Sequence, residues 1–229
     1  ARTVSTHALN IFGDHSDVMA CRQTGFAMLC EGNVQEVMDL SPVAHLAALS
    51  GKVPFINFFD GFRTSHEIQK IAIWDNEDLA DMVDMDAVEA FRKRALNPER
   101  PVMRGSHENG DIFFQHREAA NKYYDALPEI VEEYMGKVNA KLGTNYQLFN
   151  YYGAPDADRV IIAMGSICDV AEEVIDYLNA HGEKVGLVKV RLYRPFRADK
   201  LLAAIPATAT KIAVLDRTKE PGALGDPLY

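Results

Sequence analysis

Residues 13–17 read Gly13-Asp14-His15-Ser16-Asp17, which puts carboxylates and an imidazole on one short loop. Glycine frees the backbone there, and histidine is the side chain whose ordinary pKa lies nearest neutrality. Such a loop can move a proton or donate a hydrogen bond to a bound molecule. The same residue types also serve as plain turn caps, with Asp and Ser oxygens accepting backbone N–H groups. Capping is the favoured reading, and Asp14 and His15 are kept as candidate cleft-lining residues.

Four other places carry polar or charged groups that could form a site. Asp60-Gly-Phe-Arg-Thr-Ser-His-Glu67 holds Arg63, His66 and Glu67 within one turn. An Arg63–Glu67 pair at i, i+4 reads as a modest surface ion pair on a helix, or as part of a domain or subunit contact. Gly165-Ser166 falls between an apolar strand and a helix, where helix N-terminal amides can cradle a phosphate. It lacks both the G-x-G-x-x-G spacing and the P-loop lysine, so a structural turn is expected. Arg191, Arg194 and Arg197, around Tyr193-Arg-Pro-Phe196, are expected to make interdomain ion pairs. The charge mix of Leu215-Asp-Arg-Thr-Lys-Glu-Pro-Gly222 suits a domain-contact loop.

The elements that position these residues alternate in an α/β pattern. Ser41-Pro42 reads as a cap and first turn, with an apolar face on Val43, Leu46, Ala47 and Leu49 and a stop at Gly51. Val53–Phe59 reads as a strand ended by Asp60-Gly61. Thr64 and Glu67 have capping-box spacing for a following helix. In parallel α/β sheets ligands gather beyond the strand C-terminal ends, which is where Asp60–Glu67 would lie. Residues 97–127 read as an extended polar and aromatic connection. Pro128 then opens an amphipathic helix through Ile130, Val131, Tyr134, Met135, Val138 and Leu142, stopped by Gly143. From residue 147 the pattern is βαβαβ: strands at Arg159–Met164, Lys184–Tyr193 and Thr210–Leu215, helices at Cys168–Ala180 and Ala198–Ile205. Two domains are expected, residues 1–146 and 147–229. Both are of α/β class with doubly wound, mainly parallel sheets, the first incomplete.

Bulk properties exclude several classes. The chain has 229 residues, 48% of them hydrophobic, and a formal charge of −9, so no basic nucleic-acid surface is expected. No apolar run approaches the roughly 18 residues of a membrane span, and a cytoplasmic location is expected. Cys21, Cys30 and Cys168 have no CxxC spacing, so no iron–sulfur or zinc site is expected among them. Their default role is as small apolar side chains. The chain starts at Ala1 and ends on Gly225-Asp-Pro-Leu-Tyr229, and it reads as an internal piece of a longer polypeptide.

Ile11–Leu29, Val34–Asp39 and Val53–Lys70 together resemble the first domain of the pyruvate:ferredoxin (flavodoxin) oxidoreductases. The resemblance continues through Tyr151–Asp156, Val190–Phe196 and Leu215–Gly222, and is weakest over residues 76–110. The second unit is similar to the carboxy-terminal domain of transketolases.

The resemblance implies a thiamine-diphosphate fold and an enzyme that converts pyruvate and coenzyme A to acetyl-CoA and CO₂. Electrons would leave through 4Fe-4S clusters to ferredoxin or flavodoxin. It also implies a homodimer of the parent chain, and a thiamine diphosphate and Mg²⁺ site shared with domains outside this chain. Arg2 matches the position of a family arginine, in a Thr-Ala-Arg segment, that binds the pyruvate carboxylate. A guanidinium suits that task because its planar fork gives two parallel hydrogen bonds. The catalytic glutamate and the cluster cysteines would lie elsewhere in the parent, so this piece alone would not turn over. The alternatives are a related enzyme acting on another 2-oxo acid, and a non-catalytic α/β interaction module.

Overall fold

The computed structural model describes residues 3–4 and 7–229, with side-chain surroundings from residue 7 onward. In chain order the strands are β1 (Thr3–Val4), β2 (Leu9–Asn10), β3 (Ala27–Glu31), β4 (Phe55–Phe59), β5 (Phe149–Gly153), β6 (Arg159–Ala163), β7 (Val185–Val190), β8 (Leu192–Arg194) and β9 (Lys211–Val214). The helices are α1 (Ser16–Ala20), α2 (Val34–Gly51), α3 (Asn76–Met82), α4 (Met85–Arg94), α5 (Phe113–Glu118), α6 (Asn121–Leu142), α7 (Ile167–Ala180) and α8 (Ala198–Ala204).

Two sheets carry the architecture besides the β1–β2 hairpin. The first has order β4-β3-β8, with β3 and β4 parallel and β8 antiparallel to β3. The second has order β5-β7-β6-β9, parallel throughout except for the β5 edge. The expected α/β class with mainly parallel sheets is therefore observed. The segment read as one strand over Lys184–Tyr193 is instead broken at Arg191. Its second part, β8, leaves the second sheet and pairs with β3 in the first, so sheet pairing crosses the boundary read near Tyr146. Arg191 is the joint: its N–H donates to Leu148 O at 3.0 Å, and its carbonyl accepts from Cys30 N at 2.8 Å.

Helix α2 starts well before the expected Ser41 cap. Asn33 is the cap, accepting Glu36 N at 2.9 Å, while the Glu36 carboxylate reaches back to Gly32 N at 2.7 Å. This reciprocal arrangement is close to a capping box. Pro42 sits inside the helix, where its missing N–H would orphan the carbonyl of Met38. The Trp74 indole N–H donates to that oxygen at 3.0 Å, which explains why the helix runs through. Helix α6 likewise starts at Asn121 rather than Pro128, and α5 occupies part of the connection expected to be extended. Residues 61–66 form turns and no helix, because Thr64 is buried with its hydroxyl donating to Gly32 O at 3.2 Å.

The core lies where α2 packs on the first sheet and α6 packs on α2. One buried cluster includes Met28 and Leu29 of β3, Leu40, Val43 and Ala47 of α2, and Leu127, Val131, Met135 and Val138 of α6. The two helices approach closely at Gly51, where an added Cβ would sit 2.4 Å from Leu127 Cδ1. The same cluster runs on through Leu148, just before β5, Val160 of β6, Val188 of β7 and Tyr193 of β8. Burial of this kind contributes about 1.5–3 kcal/mol for each large aliphatic side chain.

Candidate functional site

Parallel strands present their C-terminal ends on one edge, and here the loops that follow them converge. Asp60 follows β4, Gly165-Ser166 follows β6, and Arg217 lies three residues beyond β9. The loop carrying His15 closes the group from the N-terminal side.

Asp60 is the centre, with no exposed surface. Its Oδ1 bonds His15 Nε2, and its Oδ2 accepts from Ser166 N at 2.8 Å and from Ser166 Oγ at 2.6 Å. Arg217 donates to the same Oδ2 at 3.0 Å, to Ser166 Oγ at 2.8 Å and to the Phe12 carbonyl at 2.6 Å. The backbone N–H of His15 returns to Arg217 O at 2.9 Å. Burial alone would raise the Asp60 pKa, but the His15 and Ser166 hydrogen bonds and the His15 charge outweigh it. The carboxyl is held well below its ordinary range. Asp60 is thus an ionised group tying together loops from both halves of the chain.

Gly165 fits this clasp because of its backbone. Its φ is +84°, and an added Cβ would lie 2.9 Å from Asp60 Oδ2 and 3.3 Å from the His15 ring. Gly165→Ala in the full-length protein is therefore expected to cost about 1–3 kcal/mol from backbone strain alone, read as a lower denaturation midpoint. A midpoint equal to the parent's would contradict the geometry.

Beside the clasp lies a cavity of about 530 Å³ lined by Arg63, Glu67, Ser166, Val170, Asp216 and Arg217. Arg63 does not pair with Glu67 but lies over the Phe12 ring at 5.5 Å, since no helix forms to bring the two together. His66 stacks on Phe62.

The candidate residues separate as follows. His15 is 2% exposed and its Nε2 is engaged by Asp60, so it works inside the clasp and presents no free imidazole to a cleft. Asp14 accepts Ser16 N at 2.6 Å, the capping role expected of it. Arg2 lies outside the described residues. Gly165-Ser166 is a structural turn whose donors serve Asp60, not a phosphate. Arg191 and Arg197 pair with Glu36 and Glu129 across the two halves, as expected of arginines at a contact. Arg194 instead covers the Tyr193 ring. The Leu215–Gly222 loop makes contacts of the expected kind through Arg217–Asp60 and Glu220–Arg22. Sequence reasoning did not bring His15, Ser166 and Arg217 together on Asp60. The one partial signal is that Asp60, Ser166 and Arg217 each follow an apolar strand of a parallel pattern.

Among the described residues no group of three or more His, Cys, Asp or Glu could hold a metal ion. No helix among them is long and apolar enough to cross a membrane. Burial raises the thiols of Cys30 and Cys168, the latter to about 12, which suits inert packing residues.

Comparison with known proteins bears on the whole chain. Residues 1–136 match the family described as "Pyruvate flavodoxin/ferredoxin oxidoreductase, thiamine diP-bdg", and residues 157–229 match "Pyruvate:ferredoxin oxidoreductase core domain II". The chain is 62% identical over 229 residues to a pyruvate-flavodoxin oxidoreductase of Enterobacter agglomerans, covering all of this chain and 20% of that protein. It is 63% identical to a pyruvate:ferredoxin oxidoreductase of Moorella thermoacetica, with the same coverage. The chain therefore spans about one fifth of the length of these relatives. A 2-oxoglutarate:ferredoxin oxidoreductase from Magnetococcus marinus, solved with 2-oxoglutarate, coenzyme A and succinyl-CoA bound, shares the fold. Its TM-score is 0.53 at 20% identity, over 93% of this chain and 39% of that one. By sequence along its whole length and by fold, the chain belongs to the pyruvate flavodoxin/ferredoxin oxidoreductase family.

Proposed function

We propose that this chain is a structural wall of the pyruvate site in an enzyme that oxidatively decarboxylates pyruvate. In this reading coenzyme A accepts the acetyl group, and the electrons pass to ferredoxin or flavodoxin. The observation that carries the reading is the identity of 62% over all 229 residues to a pyruvate-flavodoxin oxidoreductase. Thiamine diphosphate, when bound, supplies the carbanion chemistry that the residues of this chain lack. The chain contributes position: the clasp on Asp60 fixes the loop of residues 12–15, and β2 immediately before it pairs with β1. Arg2 is assigned to hold the carboxylate of pyruvate through a bidentate hydrogen bond. The full-length chain is assigned to a cytoplasmic homodimer.

Arg2→Ala in the full-length protein is expected to raise the KM for pyruvate by roughly 10- to 100-fold, the loss of hydrogen bonds to a charged group. Thiamine diphosphate affinity should stay as it is. A pyruvate KM unchanged by the substitution would overturn the assignment of Arg2.

A further inference from the structure

Beyond the clasp, a second buried polar cluster lies beside the joint at Arg191. Both carboxyl oxygens of Glu31, Asn57 Oδ1 and Arg191 Nε are buried and have no hydrogen-bond partner in the protein. These atoms belong to one neighbourhood. Leu29 pairs with Asn57 in the parallel β3–β4 register, and Glu31 lies two residues on, on the same face of β3. Arg191 donates to Glu36 Oε1 at 2.8 Å, and Glu36 in turn holds Gly32, the residue after Glu31. Asp39 and Tyr146 complete the surroundings, joined at 2.7 Å, with the Arg191 guanidinium 5.1 Å from the Tyr146 ring centre.

Two glutamates thus compete for one guanidinium, and Glu36 holds it. An ionised carboxylate at Glu31 would be buried without a donor, an expensive state that proteins escape by keeping the group protonated. Asn57 Oδ1 is an acceptor lacking a donor, and a carboxyl can supply one by keeping its proton. We propose that Glu31 is a neutral carboxylic acid that seals the junction between the two sheets, and that loss of its proton opens this junction.

Burial, more than any facing group, favours the proton. Burial pushes the Glu31 carboxyl up to about 9, and Glu36 pushes the same way, against the opposing pull of Asn57 and Arg191. The folded pKa therefore lies above the ordinary 4.5. Between these two values the folded chain keeps a proton that an opened chain releases, so the stability of the junction falls as pH rises. Cys30 on the same strand is held well above 9, and burial and Asp39 raise the Tyr146 phenol above 10, so neither titrates in that window.

Hydrogen–deuterium exchange of the full-length protein tests this at the amides of Cys30 and Arg191, which make the hydrogen bonds of the joint. After correction for intrinsic exchange, protection there should fall by about tenfold per pH unit between pH 6 and 8, the slope of one linked proton. Glu31→Gln, neutral at every pH, should abolish the slope; Glu31→Met serves if glutamine is not tolerated. Protection independent of pH in the parent, or an equal slope in the neutral variant, would overturn the proposal.

Discussion

Asp60→Ala in the full-length protein is expected to lower its stability by about 3–5 kcal/mol, the cost of removing one partner from a buried charged pair. Nothing else in the clasp could replace the carboxylate. Its loss leaves His15 buried without its Asp60 partner and strips Ser166 N and Arg217 of a shared acceptor. The pH dependence identifies the mechanism. Because the folded pKa of Asp60 is depressed, its contribution is present above the ordinary 3.8 and lost as pH falls toward the lower folded value. The gap between parent and variant, followed by chemical denaturation, should be full near neutrality and narrow below that point. A gap of under 1 kcal/mol near pH 7 would show that the clasp is incidental.

The second large effect concerns the other buried pair. Arg191→Met is expected to cost about 3–5 kcal/mol, because Glu36 would stay buried without its cation. Both side chains are nearly inaccessible, at 6% and 8% exposure, so solvent cannot compensate. Adding Glu36→Gln to this variant should recover much of the loss. Glutamine keeps an acceptor for Gly32 N while removing the unpaired charge, and an uncharged replacement of a whole buried pair is often near neutral. A double variant as unstable as the sum of the two single ones would show that the pair is not coupled.

Much of the second sheet was legible because its strands are short apolar runs with turn residues between them. Arg159–Ala163 and Lys211–Val214, with α7 between them, match the pattern within a residue or two. The failures have local causes. Ser41-Pro42 has the chemistry of a helix start, but a tertiary hydrogen bond from Trp74 satisfies the carbonyl that the proline orphans. Thr64 and Glu67 have capping spacing, but the Thr64 hydroxyl is drawn into the core toward Gly32. The break at Arg191 could not be read because Val185–Arg194 is uniformly strand-like; the charged residue marks the place where the chain changes sheets. The clasp required knowing that four distant loops meet at one edge, which spacing along the chain does not encode. Asp14 kept its turn role and His15 moved inward. The loop of residues 12–15 is held in place by Asp60 and Arg217.

The proposed function places this loop in a pyruvate-oxidising site. Reduction of methyl viologen by the full-length protein, with pyruvate, 2-oxoglutarate and oxalate offered in turn, tests it most directly. Rapid reduction with pyruvate that depends on both thiamine diphosphate and coenzyme A is expected. No pyruvate-dependent reduction with both present, or a clear preference for another 2-oxo acid, would contradict it.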